Sequence, residues 1–215
     1  MKSVDDVKRA SRLLVSRAPE LQSSLAEDVV RTRSLLEGHF RLQSGKHSGH
    51  FLRFAGLGYD HAVVTRLARL LLDRSSFATE PRPKVLVPES AAILLGRAIA
   101  MELRAPLVVA AVDGERRPTR ILRMGRIEPG EPVIVVTDII TTGSSLSALL
   151  GAAGTRPIGV LAFAALSADP LLCLDETRPD VRTDWLAQAT WTPRDVDRCP
   201  QCEAGEPQIP ATEFN

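Results

Sequence analysis

Apolar residues recur along the chain at two spacings. Residues 4–16 and 21–37 carry them at helical intervals, through Val4, Val7, Leu13 and Leu14 in the first run, and Gly38 offers a stop for the second. The period then shortens. Phe40 and Leu42, the Ser44-Gly45 pair and Phe51-Leu52-Arg53-Phe54 predict two short strands around a polar turn. Residues 62–73 return to helical spacing through Val63, Val64, Leu67, Leu70 and Leu71. From residue 84 onward short apolar runs at 84–88, 107–112, 133–136 and 159–165 predict strands, separated by predicted helices at 91–103 and 144–153. Apolar strands joined through helices predict a parallel sheet covered on both faces, an α/β fold. After Ala168, Asp, Pro, Thr and Arg dominate, so 169–215 reads as an irregular extension of one domain.

Composition narrows the function classes. The chain has 215 residues, with 27 Lys and Arg against 26 Asp and Glu and 44% hydrophobic residues, so burial can offset chain entropy and a disordered chain is excluded. The net charge of +1 excludes the broad basic face of a dedicated nucleic-acid or anionic-membrane binder, and 4% aromatics removes a base-stacking platform. No run approaches the ~20 apolar residues of a membrane helix. The opening Met1-Lys2-Ser3-Val4-Asp5-Asp6 lacks a secretory apolar region, and three cysteines do not suggest a disulfide framework. A cytoplasmic location is expected.

The segment Val133-Ile134-Val135-Val136-Thr137-Asp138-Ile139-Ile140-Thr141-Thr142-Gly143-Ser144-Ser145-Leu146 carries the clearest chemistry. An apolar strand runs into a carboxylate, then into a loop of small hydroxyl residues and one glycine, then into a helix. In an open parallel sheet, ligands sit off the carboxyl ends of the strands, where this loop falls. Hydroxyls of Thr141, Thr142, Ser144 and Ser145, with backbone N–H groups near Gly143, would cradle a phosphate at a helix N-terminus. Asp138 could accept hydrogen bonds from vicinal ribose hydroxyls. The alternative is a plain strand-turn-helix connection capped by Ser or Thr. The run is neither a Walker A loop nor a Gly-x-Gly-x-x-Gly fingerprint.

This run resembles the phosphoribosyl pyrophosphate signature of type I phosphoribosyltransferases, an apolar strand followed by acidic-acidic-x-x-Thr-Thr-Gly-x-Ser. Gly38-His39-Phe40-Arg41-Leu42-Gln43-Ser44-Gly45-Lys46-His47-Ser48 is similar to the Gly-x-Phe-x-Leu-x-Ser-Gly-x-x-Ser motif of orotate phosphoribosyltransferases. Arg126-Ile127-Glu128-Pro129-Gly130-Glu131 resembles that family's approach to the signature strand. Cys199-Pro200-Gln201-Cys202-Glu203-Ala204-Gly205-Glu206-Pro207 resembles the tail of one bacterial branch.

The resemblance implies a type I phosphoribosyltransferase fold with a five-stranded parallel core. Residues 1–58 would supply N-terminal helices and a hood, 59–168 the α/β core, and 169–215 the C-terminal extension. It also implies a homodimer and Mg²⁺-assisted transfer of ribose 5-phosphate from phosphoribosyl pyrophosphate to a heterocyclic or aromatic acceptor, in pyrimidine or nucleotide metabolism. By family position, Thr137, Asp138, Ile139, Ile140, Thr141, Thr142, Gly143, Ser144 and Ser145 would hold the sugar phosphate. Asp138 would contribute indirectly to the metal, and Lys46, His47, Thr141 and Leu166 would lie near the acceptor. The other expected class is a catalytically silent regulatory protein that binds phosphoribosyl pyrophosphate or a nucleotide.

Several positions depart from the family pattern. Thr137 replaces the first acidic residue, and the pyrophosphate loop Gly-Pro-x-x-Gly-Gly is here Val87-Pro88-Glu89-Ser90-Ala91-Ala92, with fewer glycines and an added carboxylate. Ala110-Ala111-Val112 follows Leu107-Val108-Val109 where the family has a basic residue. Ala165-Leu166 stands where orotate enzymes carry Asp-Arg, which makes a different acceptor credible. Arg116, Arg117, Arg120, Arg123 and Arg126 occupy the place of the family's mobile loop. They either close over pyrophosphate, with Arg116 and Arg117 as catalytic candidates, or form a solvated loop balanced by Asp113, Glu115 and Glu128.

His39, His47, His50 and His61 are irregularly spaced, with no accompanying carboxylate pattern, which argues against metal ligation by them. Cys199 and Cys202 form half of a four-ligand zinc set. Cys173 could add a third ligand, and pairing across a dimer could complete four thiolates. The alternatives are a disulfide or two free thiols.

Overall fold

The computed structural model describes residues 3–42, 44–75, 82–141, 143–154, 156–166 and 181–214. Helix α1 (Val4–Leu13) starts at a reciprocal cap in which Ser3 Oγ accepts the Asp6 N–H and the Asp6 carboxylate accepts the Ser3 N–H. It leads into β1 (Leu14–Ser16), α2 (Gln22–Arg31), the hairpin β2 (Leu35–Arg41) and β3 (His47–Leu52), then α3 (Phe54–Gly58) and α4 (His61–Arg74). The chain continues as β4 (Lys84–Pro88), α5 (Ala92–Leu103), β5 (Leu107–Val112), β6 (Pro118–Met124), β7 (Val133–Ile140), α6 (Ser144–Ala152) and β8 (Pro157–Ala165). Strand β9 (Arg182–Ala189), the short α7 (Pro200–Glu203) and β10 (Ile209–Pro210) follow.

The main sheet has seven strands in the order β1-β9-β8-β7-β4-β5-β6. Its inner five run parallel, and the two edge strands, β1 and β6, run antiparallel to their neighbours. Successive residues of the central strands face opposite sides. Val85, Val87, Ile134 and Val136 enter one core with Leu67 and Leu71 of α4 and Leu95 and Ile99 of α5. Leu86, Val133 and Val135 enter the other, against Leu146, Leu149 and Leu150 of α6. Close seating of α5 depends on Gly96, where an added Cβ would stand 2.1 Å from Val87 Cγ1. A second sheet, β10-β2-β3, forms the hood.

Five predicted elements are redrawn. Residues 14–16 leave the first helix to pair with β9, Leu14 opposite Ala189. The second helix stops at Arg31 because Arg33 turns to a φ of +52°, and residues 35–41 become a strand in which Gly38 lies at a register shift instead of a helix end. The Arg-rich stretch is no loop over its middle: 118–124 pairs antiparallel with β5 as a charged edge strand. The signature strand runs on through Asp138 to Ile140, held by β8. Residues 182–189, within the expected irregular extension, instead lie between β8 and β1 in the main sheet. Cys173 lies outside the described residues. Among those residues, no helix is long and apolar enough to cross a membrane.

Candidate active site

Two neighbouring strands whose connections depart in opposite directions open a crevice at their carboxyl ends. Strand β4 leads through α5 to β5 on one side, whereas β7 leads through α6 to β8 on the other. Pairing of β4 with β7 runs only to Leu86 opposite Val135, while β8 follows β7 as far as Ile140 opposite Ala165. A cleft of about 380 Å³ lies at this point, roofed by the hood.

Thr137, Asp138, Ile139, Thr141 and Ser145 form one wall. Asp138 Oδ1 accepts the Ile139 N–H at 2.9 Å, and the Thr137 hydroxyl lies at 3.4 Å. The surrounding protein pushes the Asp138 carboxyl up from its ordinary range, against the opposing pull of the Ile139 amide. Gly143 follows, buried, as the N-cap of α6 at φ +80°. That left-handed geometry costs glycine little and a side-chain-bearing residue more. Gly143 has no side chain with which to close the helix start, so the residue in the cap position is not the Ser or Thr of the plain capped connection. First-turn amides of α6, which the Gly143 cap position leaves without a side-chain acceptor, could face an anion. Thr142 and the Ser144 side chain lie outside the described residues, and Ile140 is buried away from the cleft lining.

The β4–α5 turn supplies Pro88, Ser90 and Ala91 to the facing wall. Ser90 Oγ accepts the Ala92 N–H at 3.2 Å, so this hydroxyl serves the start of α5. Glu89 does not line the cleft: its carboxylate is 3.5 Å from Arg123 Nε on β6. The negative charge that Glu89 adds to the β4–α5 turn is thus partly paired outside the cleft.

Arg116 and Arg117 reach the cleft from the β5–β6 turn. Asp113 Oδ1 holds that turn by accepting the Glu115 N–H at 2.9 Å and the Arg117 N–H at 2.8 Å, with Arg116 at φ +61°. Arg117 also pairs with Glu115 at 2.5 Å. Arg120 lies against α6, where a Cβ on Gly151 would meet its Nε at 2.7 Å, and Arg126 pairs with Glu128 at 3.4 Å. The basic stretch is divided: its first two arginines face the cleft and the others bind the protein's own surface.

Of the residues expected near the acceptor, Thr141 and Leu166 line the cleft. Lys46 and His47 do not. Lys46 Nζ lies 3.6 Å from Asp195, and His47 turns to the other side of the hood, with Nδ1 3.2 Å from Cys202 Sγ. The roof comes instead from Leu42, Ser44, His50, Phe51 and Leu52, with Ala211 from the segment after β10. Burial lowers the His50 pKa, so this ring is neutral near pH 7. The paired apolar residues at 40–42 and 51–54 signalled the hairpin, but no local pattern marks Ala211, which reaches the roof through the pairing of Ile209 with Phe40.

The strand order, the crevice position and the hydroxyl-rich bend after an acidic strand end define a type I phosphoribosyltransferase fold. Solved structures agree. Orotate phosphoribosyltransferase from Aeropyrum pernix superposes with a TM-score of 0.60 at 21% identity, covering 76% of this chain and 91% of that one. Adenine phosphoribosyltransferase from Trypanosoma brucei, solved with AMP, pyrophosphate and ribose 5-phosphate, gives 0.52 at 16%, covering 77% and 78%. No family model matches the chain. Sequence relatives are more specific: the orotate phosphoribosyltransferase of Heliobacterium modesticaldum is 31% identical over 185 residues, covering 85% of this chain and 93% of the relative. That of Nitratiruptor sp. is 33% identical over 195 residues, covering 85% and 95%. The chain belongs to the orotate phosphoribosyltransferase family.

Proposed function

We propose that this chain transfers ribose 5-phosphate from phosphoribosyl pyrophosphate to a ring nitrogen of a planar heterocycle. The observation that carries the reading is one cleft with an acidic strand end and an uncapped helix start on one wall and two arginines at the opposite rim. The 5′-phosphate is held by the α6 amides with the Thr141 and Ser145 hydroxyls, and the Asp138 carboxyl group accepts from the ribose hydroxyls. Arg116 and Arg117 neutralise charge on the departing pyrophosphate, at the point where it develops. Leu42, Phe51 and Leu52 exclude water from the electron-poor sugar carbon and orient the acceptor ring.

A Mg²⁺ ion fits this donor set. Magnesium is commonly held by one or two carboxylates together with substrate phosphates, and Asp138 is a carboxylate lining the cleft. Bound there with substrate, the ion would supply further neutralisation of the leaving group.

Orotate is the acceptor named for the relatives. Here Leu166 presents an apolar side chain at the end of β8, which favours an acceptor whose edge at that point is uncharged. The reading includes a homodimer, supported by Ile121 and Met124, which are 69% and 64% exposed on edge strand β6. Pyrophosphate release from phosphoribosyl pyrophosphate and Mg²⁺, screened against orotate, uracil, purine bases and aromatic acids, tests the reaction. Turnover with one uncharged ring supports it, and efficient turnover with orotate alone overturns the assignment of Leu166. Saturable donor binding without turnover for any acceptor identifies a regulatory protein instead. Sedimentation velocity tests the dimer.

A further inference from the structure

Two imidazoles and two thiols from distant parts of the chain converge on the side of the hood away from the cleft lining. His39 lies on β2, His47 opens β3, and Cys199 and Cys202 belong to the knuckle that forms α7. Their four ligand atoms lie within 4.8 Å of one another. His39 Nε2 is 2.8 Å from His47 Nδ1 and 3.5 Å from both Cys199 Sγ and Cys202 Sγ, and Cys202 Sγ is 3.2 Å from His47 Nδ1. A tetrahedral ion with ordinary Zn–N and Zn–S bonds sets edges of about 3.3 Å between nitrogens, 3.5 Å between nitrogen and sulfur and 3.8 Å between sulfurs. Both sulfurs already stand at the nitrogen–sulfur edge from His39 Nε2, and the Cys202–His47 pair is short of it by about 0.3 Å. Moving one imidazole by about half an ångström supplies the nitrogen–nitrogen edge.

The surroundings suit a closed metal site. His39 Nδ1 is 2.9 Å from the Glu206 carbonyl oxygen. An N–H donated there leaves the Nε2 lone pair facing the cluster, the arrangement by which an outer hydrogen bond orients a metal-ligating imidazole. His39, His47 and Cys199 are each 2% exposed, and Cys202 is half-buried. The knuckle is folded by the Glu203 N–H donating to the Cys199 carbonyl at 3.1 Å and the Gly205 N–H donating to the Cys202 carbonyl at 3.0 Å. Both cysteines are free thiols. The histidines whose spacing spoke against ligation therefore stand where a third and fourth ligand are needed, because strands β2 and β3 pair antiparallel and bring His39 and His47 side by side. Neither Cys173 nor a second subunit is required to complete the set.

We propose that His39, His47, Cys199 and Cys202 bind one structural Zn²⁺ ion. Binding displaces the two thiol protons and any proton shared between the imidazoles. None of the four ligands lines the catalytic cleft. The ion ties the segment around α7 to the hood, next to the pairing of β10 with β2 that brings Ala211 to the cleft roof.

The test uses the full chain, purified without a histidine tag or chelator from zinc-supplemented cells. Elemental analysis is expected to find about one zinc per chain. Replacement by Co²⁺ should give the strong visible absorption of a tetrahedral ion together with a thiolate charge-transfer band. Chelation should lower the melting temperature by more than about 5 °C. Cys202→Ser and His39→Gln should each lose the cobalt spectrum of the wild type. Less than about 0.1 metal per chain after incubation with excess Zn²⁺ overturns the proposal and leaves a hydrogen-bonded His–Cys cluster. A weak octahedral Co²⁺ spectrum in the wild type also overturns it, as does full zinc occupancy in Cys202→Ser. These readouts do not depend on transferase activity.

Discussion

Asp138→Asn separates ligand binding from stability at one atom. The amide can keep the Oδ1 contact to the Ile139 N–H, 2.9 Å away, and so preserves the strand end. It removes the negative charge from the oxygen left to accept ribose hydroxyls. One lost charge-assisted hydrogen bond of about 1.5–3 kcal/mol weakens ribose 5-phosphate binding roughly 10- to 150-fold. Stability should move the other way. Because burial raises the carboxyl's pKa in the folded protein, the unfolded chain releases this proton at lower pH than the native state does. Stability therefore falls as pH rises from the unfolded value toward the folded one, and above it the native state carries a poorly solvated charge. Asparagine carries none, so the variant should melt above the wild type near neutral pH, and the gap should close below the unfolded carboxyl's pKa of about 3.9. Calorimetric titration of ribose 5-phosphate with Mg²⁺, beside melting curves across pH, reads both effects. Ribose 5-phosphate affinity within twofold of wild type would refute the role of Asp138, and a lower melting temperature at neutral pH would refute the account of its burial.

Leu166→Arg places a cation in the cleft and should tighten orotate binding roughly ten- to a hundredfold, measured as KM or by titration. Gly143→Ala at φ +80° should cost about 1–2 kcal/mol by urea denaturation and weaken inorganic phosphate binding by distorting the α6 start. Asp28 is 8% exposed and joins Arg31 at 2.8 Å to Arg66 across α2 and α4. Asp28→Ala should lower stability by about 1–3 kcal/mol in urea, at the smaller end because both arginines reach water.

The central fold was legible because buried parallel strands read as bare apolar runs, as at 84–88 and 133–136, between helices with clear faces. Asp138 and the bend at Gly143 were legible for a related reason: a carboxylate, hydroxyls and a glycine in one short run have few structural explanations. Elements at the sheet's edges were not. Strand 14–16 and the edge strand 118–124 have their positions set by partners remote in sequence or by the charge of their exposed faces, neither of which leaves a local period. The same holds for β9, whose Thr183, Leu186 and Ala187 are buried without regular alternation. The meeting of His39 and His47 with Cys199 and Cys202 was not legible, because spacing along the chain says little about two strands folded back on each other. Glu89 read as a charge in the anion's path until the side chain of Arg123, on the adjoining edge strand, was placed beside it.

The pairing of Leu14 with Ala189 and the placing of Ala211 above the cleft have a kinetic consequence. Sheet closure must wait for segments separated by most of the chain to meet, and such high contact order slows folding. During refolding, burial in the centre of the sheet should precede recovery of ligand binding. A fragment ending before residue 182 would expose the flank of β8 that β9 normally covers, and an uncovered strand edge invites self-association.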